Sequence, residues 1–76
     1  MLLLLALSIP ADFLEEALDT IAALPFAIDP QIRTHGKRCT IEFPIADSSH
    51  AGHVENALRA RGLRQTRVEV LEAAAA

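Results

Sequence analysis

The chain has 76 residues, of which 51% are hydrophobic and 4% aromatic, and its formal net charge is −3. This length fits one domain, the hydrophobic fraction excludes the composition of a disordered chain, and the negative charge excludes broad electrostatic binding of nucleic acid. We expect a single domain over residues 1–72, followed by a disordered tail or expression remnant at 73–76. The single cysteine, Cys39, excludes a disulfide within the chain and fits the reducing cytoplasm, which is the predicted compartment.

The chain begins with a leucine-rich segment, MLLLLAL. No Lys or Arg precedes the leucines and no small-residue cleavage site follows them, so a secretory signal is not expected. The segment is also far shorter than the roughly 20 residues that span a bilayer. We therefore predict a strand over Leu2–Leu7 and no contact with a membrane.

Residues 10–24 predict a helix whose apolar residues recur at steps of three and four. Pro10 suits the first turn of a helix, where a backbone N–H is not needed, and Pro25 ends the segment. The predicted apolar face consists of Phe13, Leu14, Ala17, Leu18, Ile21 and Leu24.

Two alternating segments predict a hairpin. Residues 26–34 alternate in polarity, and Pro30 marks this strand as an edge because proline cannot donate to a ladder. A tight turn at Gly36 leads to a strand over residues 38–45. Its predicted inward residues are Cys39, Ile41, Phe43 and Ile45.

The rest of the chain predicts a second helix over residues 46–63 and a last strand over residues 64–72. Asp47, Ser48 or Ser49 can cap the helix, and Gly62 fits the left-handed position after its last turn. The predicted buried positions are Ala51, Val54, Ala57 and Leu58 on the helix, with Val68 and Val70 on the strand.

The predicted order is strand, helix, strand, strand, helix, strand, which is typical of an α+β, ferredoxin-like βαββαβ fold. It predicts a four-stranded antiparallel sheet of order 4-1-3-2 with both helices on one face. The leucine-rich strand is then central, and alternate residues point away from the helices. The predicted interface on that open face consists of Leu2, Leu4, Ala6, Thr40 and Glu42.

Covering two exposed leucines is worth a few kcal/mol at about 25 cal/mol per Å², which is a large part of the stability of so small a domain. We therefore predict a homo-oligomer. The alternative is that the aliphatic stems of neighbouring basic side chains cover the leucines. Those side chains are Arg33, Lys37, Arg38 and Arg67.

His50 and His53 lie three residues apart in HAGH, on one face of the second helix. Two imidazoles at this spacing can hold a transition metal, so metal binding is one hypothesis and a pair of surface histidines is the alternative. His35 and Cys39 are predicted at the opposite end of the sheet, too far away to complete the site.

No catalytic constellation is predicted. Cys39 points inward, where a thiol is inert, and Ser48 and Ser49 beside His50 fit helix caps better than a triad. With only three glycines the chain has no glycine-rich phosphate loop, and it has no CxxC. We expect neither an enzyme nor a cofactor.

The segments IPADFLEEALDTIAALPF, THGKRCTIEF and VENALRARGLRQTRVEV together resemble the ACT-like domains and the ligand-sensing domains of feast/famine transcription regulators. The resemblance implies self-association through sheet edges or faces, and small-molecule binding at subunit interfaces. It places the ligand loop at Ile9, Pro10, Ala11 and Asp12. The ligand-binding ACT pattern carries a glycine where this chain has Ala11.

A second resemblance, in IAALPFAI and RGLRQTRVEV, is to the assembly chaperone of periplasmic nitrate reductase. It implies binding of a peptide, for which an exposed sheet edge is suitable. The leading functional hypothesis is a non-enzymatic, self-associating module that binds a small ligand at its interface. A peptide-binding chaperone or adaptor and a metal-binding protein are the alternatives.

Overall fold

A computed structural model of the protein describes residues 2–27, 29–63 and 66–73. It is a small α+β domain with a four-stranded antiparallel sheet and two α-helices. The elements in chain order are β1 (Leu2–Pro10), a 3₁₀ turn (Ala11–Phe13), α1 (Leu14–Ala22), β2 (Gln31–His35), β3 (Arg38–Ile45), α2 (Ser49–Ala60) and β4 (Arg67–Ala73).

The sheet order is β2-β3-β1-β4, which reads 4-1-3-2 from the opposite edge. The leucine-rich strand β1 is central, since it pairs with β3 on one side and β4 on the other. Strands β2 and β4 are the edges. In this register Leu5 lies between Phe43 and Val70, and Leu7 lies between Ile41 and Val68. The central position predicted for the first strand is therefore confirmed.

One face of the sheet carries the hydrophobic core. Alternate residues of β1 and β3 point to this face because side chains alternate along a strand, and residues of both helices pack on them. Cys39 is buried there, as predicted. The buried core consists of Leu5, Leu7, Ile9, Ala17, Ile21, Cys39, Ile41, Phe43, Ile45, Val54, Leu58 and Leu63.

The first strand is longer, and the first helix shorter, than predicted. β1 continues to Pro10, which lies opposite Arg38, because β3 offers ladder partners as far as the hairpin turn. Pro10 is thus the end of a strand, not the first turn of a helix. The chain then passes through the 3₁₀ turn, where Ala11 N donates to Lys37 O at 2.8 Å. Phe13, predicted on the buried face, is 38% exposed.

The segment predicted as a strand over residues 26–34 pairs only from Gln31 onward. Phe26 and Ala27 instead belong to a loop and pack against the core, while Ile28 lies outside the described residues. Asp29 has φ of 50°, a left-handed conformation that Asp tolerates better than most residues. All five residues of β2 are exposed, which agrees with its predicted edge position.

The second half of the chain has the predicted elements with different bounds. α2 covers Ser49–Ala60 within the predicted 46–63, and β4 covers Arg67–Ala73, one residue beyond the predicted end at 72. The predicted strand residues Arg64 and Gln65 lie outside the described part of the chain, as do residues 74–76. In β4, Val68 is half-buried, whereas Val70 is 38% exposed because no further strand covers this edge. Among the described residues, no helix is both long and apolar enough to cross a membrane.

Two glycines end elements as predicted. Gly36, with φ of 60°, begins the two-residue turn that joins β2 to β3. Gly62, with φ of 81°, follows α2 and donates its N–H to Arg59 O at 2.9 Å, while Leu63 N donates to Leu58 O at 3.0 Å. These two bonds form a Schellman motif, and the burial of Leu58 and Leu63 supplies its hydrophobic contact.

Two glycine-to-alanine changes separate backbone conformation from packing. No atom lies within 4 Å of a Cβ added at Gly62 or at Gly52. We expect Gly62→Ala to lower the free energy of unfolding by about 1 kcal/mol because φ is positive there, and Gly52→Ala to raise it by up to about 1 kcal/mol because Gly52 lies within α2. Urea unfolding monitored by circular dichroism measures both, and equal effects would contradict the αL assignment of Gly62.

Candidate functional site: the helix-free sheet face

The sheet face opposite the helices, which we call the open face, is formed by the second set of alternating residues. The strand register arranges them in four rows across the sheet. The apolar row is Pro44, Leu4 and Leu71; the acidic row is Gln31, Glu42, Ala6 and Glu69; the arginine row is Arg33, Thr40, Ser8 and Arg67; the turn row is His35, Arg38 and Pro10.

The apolar row exposes hydrocarbon to water. Leu71 is 41% exposed and Leu4, between Pro44 and Leu71, is half-buried by its neighbours in the sheet. No helix lies over this face, since both helices pack on the core side. The row is therefore a small apolar patch at one end of the open face.

The next two rows carry opposite charges. Glu42 and Glu69 lie in the acidic row, and Arg33 and Arg67 lie in the arginine row, about 7 Å further along the strands. Arg33 Nε is 3.7 Å from Glu42 Oε1. No ion pair joins Glu69 or Arg67 to any other residue in the part of the chain that the structure describes.

The basic side chains do not cover the leucines. Arg67 pairs with Ser8, and Arg38 pairs with Pro10. Ser8 and Pro10 are four and six residues from Leu4 along β1, a separation of about 13 Å or more. Arg38 Nε donates to Ser8 Oγ at 3.2 Å, so this side chain is held at the arginine row. The alternative that arginine stems cover the apolar patch is therefore not supported.

Small side chains leave a depression near the centre of the open face. It has a volume of about 220 Å³ and is lined by Ala6, Ser8, Thr40, Arg67 and Glu69. The first three side chains are short, and the last two are long and oppositely charged. The depression therefore has a polar floor and one acidic and one basic wall.

The predicted interface residues come together on this face. Leu4, Ala6, Thr40 and Glu42 are all half-buried and share the open face. Leu2 belongs to β1, but its side chain lies outside the described structure. The sequence prediction missed Leu71 and Pro44, which complete the apolar row, and the charged pair on β4. The signal was present in RVEVLE, where Arg67, Glu69 and Leu71 alternate with the inward valines.

The predicted ligand loop does not form one surface. The Ile9 side chain is fully buried in the core, whereas Asp12 is exposed. Pro10 lies on the open face between them, and the Ala11 N–H is already bonded to Lys37 O. Pro10 and Ala11 are half-buried and Asp12 is exposed, so three of the four residues have surface that a ligand could contact and Ile9 has none.

The predicted histidine pair is held by an aromatic contact. The His50 ring stacks on Phe26, with centroids 4.1 Å apart and planes inclined by 8°, and its centroid lies 6.4 Å from that of His53. Phe26 in turn contacts Phe43 of the core, at 6.5 Å between centroids. His50 therefore anchors the loop that contains Phe26 to the start of α2.

One atom of His50 carries no hydrogen bond, since its Nδ1 is buried without a partner among the described residues. No group of three or more His, Cys, Asp or Glu residues that could hold a metal ion occurs in the described ranges. His35 and Cys39 lie beside the β2–β3 turn, away from α2. Metal binding by His50 and His53 remains a prediction.

Asp47 caps α2 from outside the helix. Its Oδ1 accepts a hydrogen bond from Ser49 N at 3.0 Å, whereas the predicted alternative, Ser48, makes no side-chain cap. The bonds from the backbone and side chain of Ser49 hold the pKa of Asp47 below its usual 3.8, with a smaller contribution from His50. The stabilisation is therefore present above pH 3.8 and lost as the pH falls through the folded-state pKa.

A larger cavity of about 370 Å³ lies between α2 and the segment that precedes β4. It is lined by Glu55, Arg59, Leu63 and Thr66. Arg59 Nη2 donates to Glu55 Oε1 at 2.7 Å, so the two charged side chains of this cavity already neutralise each other. The open face has an apolar patch, and its Arg67 and Glu69 form no ion pair among the described residues, so it is the stronger candidate site.

Comparison of the chain with protein families and with curated proteins finds no match to either.

Substitutions of His50 test the role of the ring stack. His50→Phe keeps an aromatic ring on Phe26 and removes the unpartnered Nδ1, so we expect it to raise the free energy of unfolding by about 1 kcal/mol. His50→Ala loses the stack and should lower that free energy by about 1 kcal/mol or more. His53→Ala, at an exposed position, is the control and should change it little. Thermal and urea unfolding give the order, and a destabilised His50→Phe would contradict this account.

Proposed function

We propose that this protein is a non-enzymatic, self-associating module whose open face packs against a second copy of the chain. The observation that carries the proposal is the apolar row: Leu4 and Leu71 lie on a face that neither described helix covers, in a row about 13 Å from the arginine row. A second copy supplies the missing layer, since a sheet buries its apolar face by packing on another element.

The small size of the domain makes the burial of each further leucine important for its stability. A chain of this length buries only about 60% of the surface that it exposes when unfolded, so its stability is marginal. Fully burying an exposed leucine is worth about 1.5–3 kcal/mol, and less than half of this remains to be gained at Leu71, which is 41% exposed. Two leucines on each of two copies therefore supply a few kcal/mol, which is a substantial part of the stability of a small domain.

The finer fold assignment is part of the proposal. The order of strands, read from β4, and the packing of α1 and α2 on one face support a ferredoxin-like arrangement. This superfold has many functions, so the fold alone supports none of them. We do not extend the proposal to a small ligand in the loop at Ile9–Asp12, because Ile9 is buried in the core.

Leu71→Glu tests the proposal with little risk to the fold, because Leu71 is 41% exposed. We expect the wild-type protein to be dimeric at tens of micromolar and the variant to associate at least about a hundredfold more weakly, since a carboxylate replaces buried hydrocarbon in both copies. Sedimentation equilibrium measures the difference, and Leu4→Glu should have the same effect.

Phe13→Glu is the matched control. Phe13 is 38% exposed, close to the value for Leu71, but it lies in the 3₁₀ turn after β1 and not on the open face. It should leave the dimer unchanged. A monomeric wild-type protein, or equal weakening by Phe13→Glu and Leu71→Glu, would contradict the proposal.

A second candidate function is binding of an extended peptide at the β4 edge. Natural edge strands are protected by proline, charge and shortness. β2 has these features, since it has five residues, follows Pro30 and carries Arg33. β4 carries Arg67 and Glu69, but it has seven residues and no proline, and it exposes Val70 and Leu71 side by side. An added strand would therefore pair with β4 more readily than with β2.

Val70→Lys tests the β4 edge against a panel of fluorescently labelled, extended hexapeptides. Val70 pairs with the inward residue Leu5, so its side chain is on the core side of β4. The change therefore places a charge at the edge without altering the open face. We expect micromolar peptide binding by the wild-type protein and its loss in this variant. Ile32→Lys, at the equally exposed β2 edge, should bind normally. Fluorescence anisotropy measures both, and peptide binding that survives Val70→Lys would exclude the β4 edge.

A further inference from the structure

The open face separates its acidic row from its arginine row, so the two symmetric alignments of two copies differ in which charges face each other. This inference rests on the self-association proposed above and adds the orientation of the partner. We propose that the two open faces pack with their β1 strands running in opposite directions, so that Glu69 of each copy pairs with Arg67 of the partner subunit. We call this arrangement the reversed alignment.

The row order carries the argument. Along the strands the open face runs from the apolar row through the acidic row and the arginine row to the turn row. In one arrangement the two-fold axis lies between the two open faces, perpendicular to the strands and level with the gap between the acidic and arginine rows. This axis reverses the row order and places each strand over the same strand of the partner. The acidic row then faces the partner's arginine row, and Glu69 on β4 faces the partner's Arg67.

The other alignment brings like charges together. A two-fold axis parallel to the strands places each row over the same row of the partner. It also places β4 over the partner's β2. Arg67 then faces the partner's Arg33, and this contact occurs twice because of the symmetry. Like charges facing each other weaken an interface, so this alignment, which we call the matched alignment, is disfavoured.

Neither charge of the proposed pair has an ion-pair partner among the described residues of one copy. Glu69 and Arg67 are two residues apart on one strand and form no ion pair with each other. They form two walls of the central depression, whose floor of Ala6, Ser8 and Thr40 has short side chains. Since packed sheets lie about 10 Å apart, this space of about 220 Å³ accommodates the long side chains that enter from the partner.

In the reversed alignment the β1 and β3 residues of the apolar row face the partner's turn row, whereas Leu71 lies beyond that row because β4 begins at Arg67. Leu4 then lies over the partner's Pro10, and Pro44 lies over the aliphatic stem of the partner's Arg38. Packed sheets cross at about 30°, so the match is closest near the depression, where the charged pairs lie.

Two single charge reversals test the orientation. Glu69→Arg gives a copy with two arginines at these positions, and Arg67→Glu gives a copy with two glutamates. In the reversed alignment each variant repels itself, so we expect each to associate at least about tenfold more weakly than the wild-type protein. A one-to-one mixture restores both pairs, so the mixture should form a heterodimer. Native mass spectrometry resolves the three species, because the two variants differ in mass.

The controls carry the same charge changes on the helical side. Glu15→Arg lies in the first turn of α1 and Arg61→Glu lies just after α2, and both positions are exposed. Each should dimerise as the wild-type protein does, and their mixture should give the statistical ratio of dimers. Equal weakening by these variants would show an effect of net charge and would overturn the pairing of Glu69 with Arg67.

The possible results separate this inference from the proposed function. A wild-type dimer with two self-repelling variants that rescue each other supports the reversed alignment. A wild-type dimer in which Arg67→Glu associates more tightly overturns it in favour of the matched alignment, where this glutamate faces the partner's Arg33. A wild-type dimer that neither reversal weakens also overturns it, while Leu71→Glu still tests self-association. A monomeric wild-type protein overturns both proposals.

Discussion

The pairing of β1 with two neighbours is the constraint on which the rest of this structure depends. Nine residues of β1 form ladders with β3 and β4, and the period of two sends alternate leucines to opposite faces. Leu5 and Leu7 enter the core beneath the helices, while Leu4 points to the open face. A slip of one residue would exchange these two sets. The same register therefore fixes both the core and the surface that we assign to association.

Much of this fold is predictable from the sequence, because strong periodicity and turn chemistry agree with the tertiary contacts. β3 has its predicted bounds, since Cys39 to Ile45 alternate without interruption, and Gly62 has the left-handed conformation predicted for it. The predicted start of the first helix, at residue 10, was wrong, since α1 begins at Leu14. Pro10 is compatible with both a strand end and a first helical turn, and only the available partner, Arg38 on β3, decides between them. Phe26 is predicted in a strand because it fits the alternation of polarity. It lies instead in a loop, where its ring contacts His50 and Phe43.

The open face was predictable in outline but not in its chemistry. Leu4 and Ala6 could be placed on it from alternation alone, since their strand was expected in the centre of the sheet. The row that adds Leu71 to Leu4, and the separation of acidic from basic residues, depend on the register between strands that are distant in the sequence. Alternation within a strand does not determine that register. The stacking of His50 on Phe26 likewise joins residues 24 positions apart, which no local pattern indicates.

The placement of both helices on one side of the sheet also limits the size of an assembly. Each copy has a single uncovered layer, and a two-fold contact uses the whole of that layer in both copies. Association through this surface is therefore closed, and a third copy finds no equivalent place to add. Growth into longer polymers would need the sheet edges, β2 and β4, where a further strand can pair. In the proposed assembly one partner covers the leucines of the open face, and open-ended association is confined to those two edges.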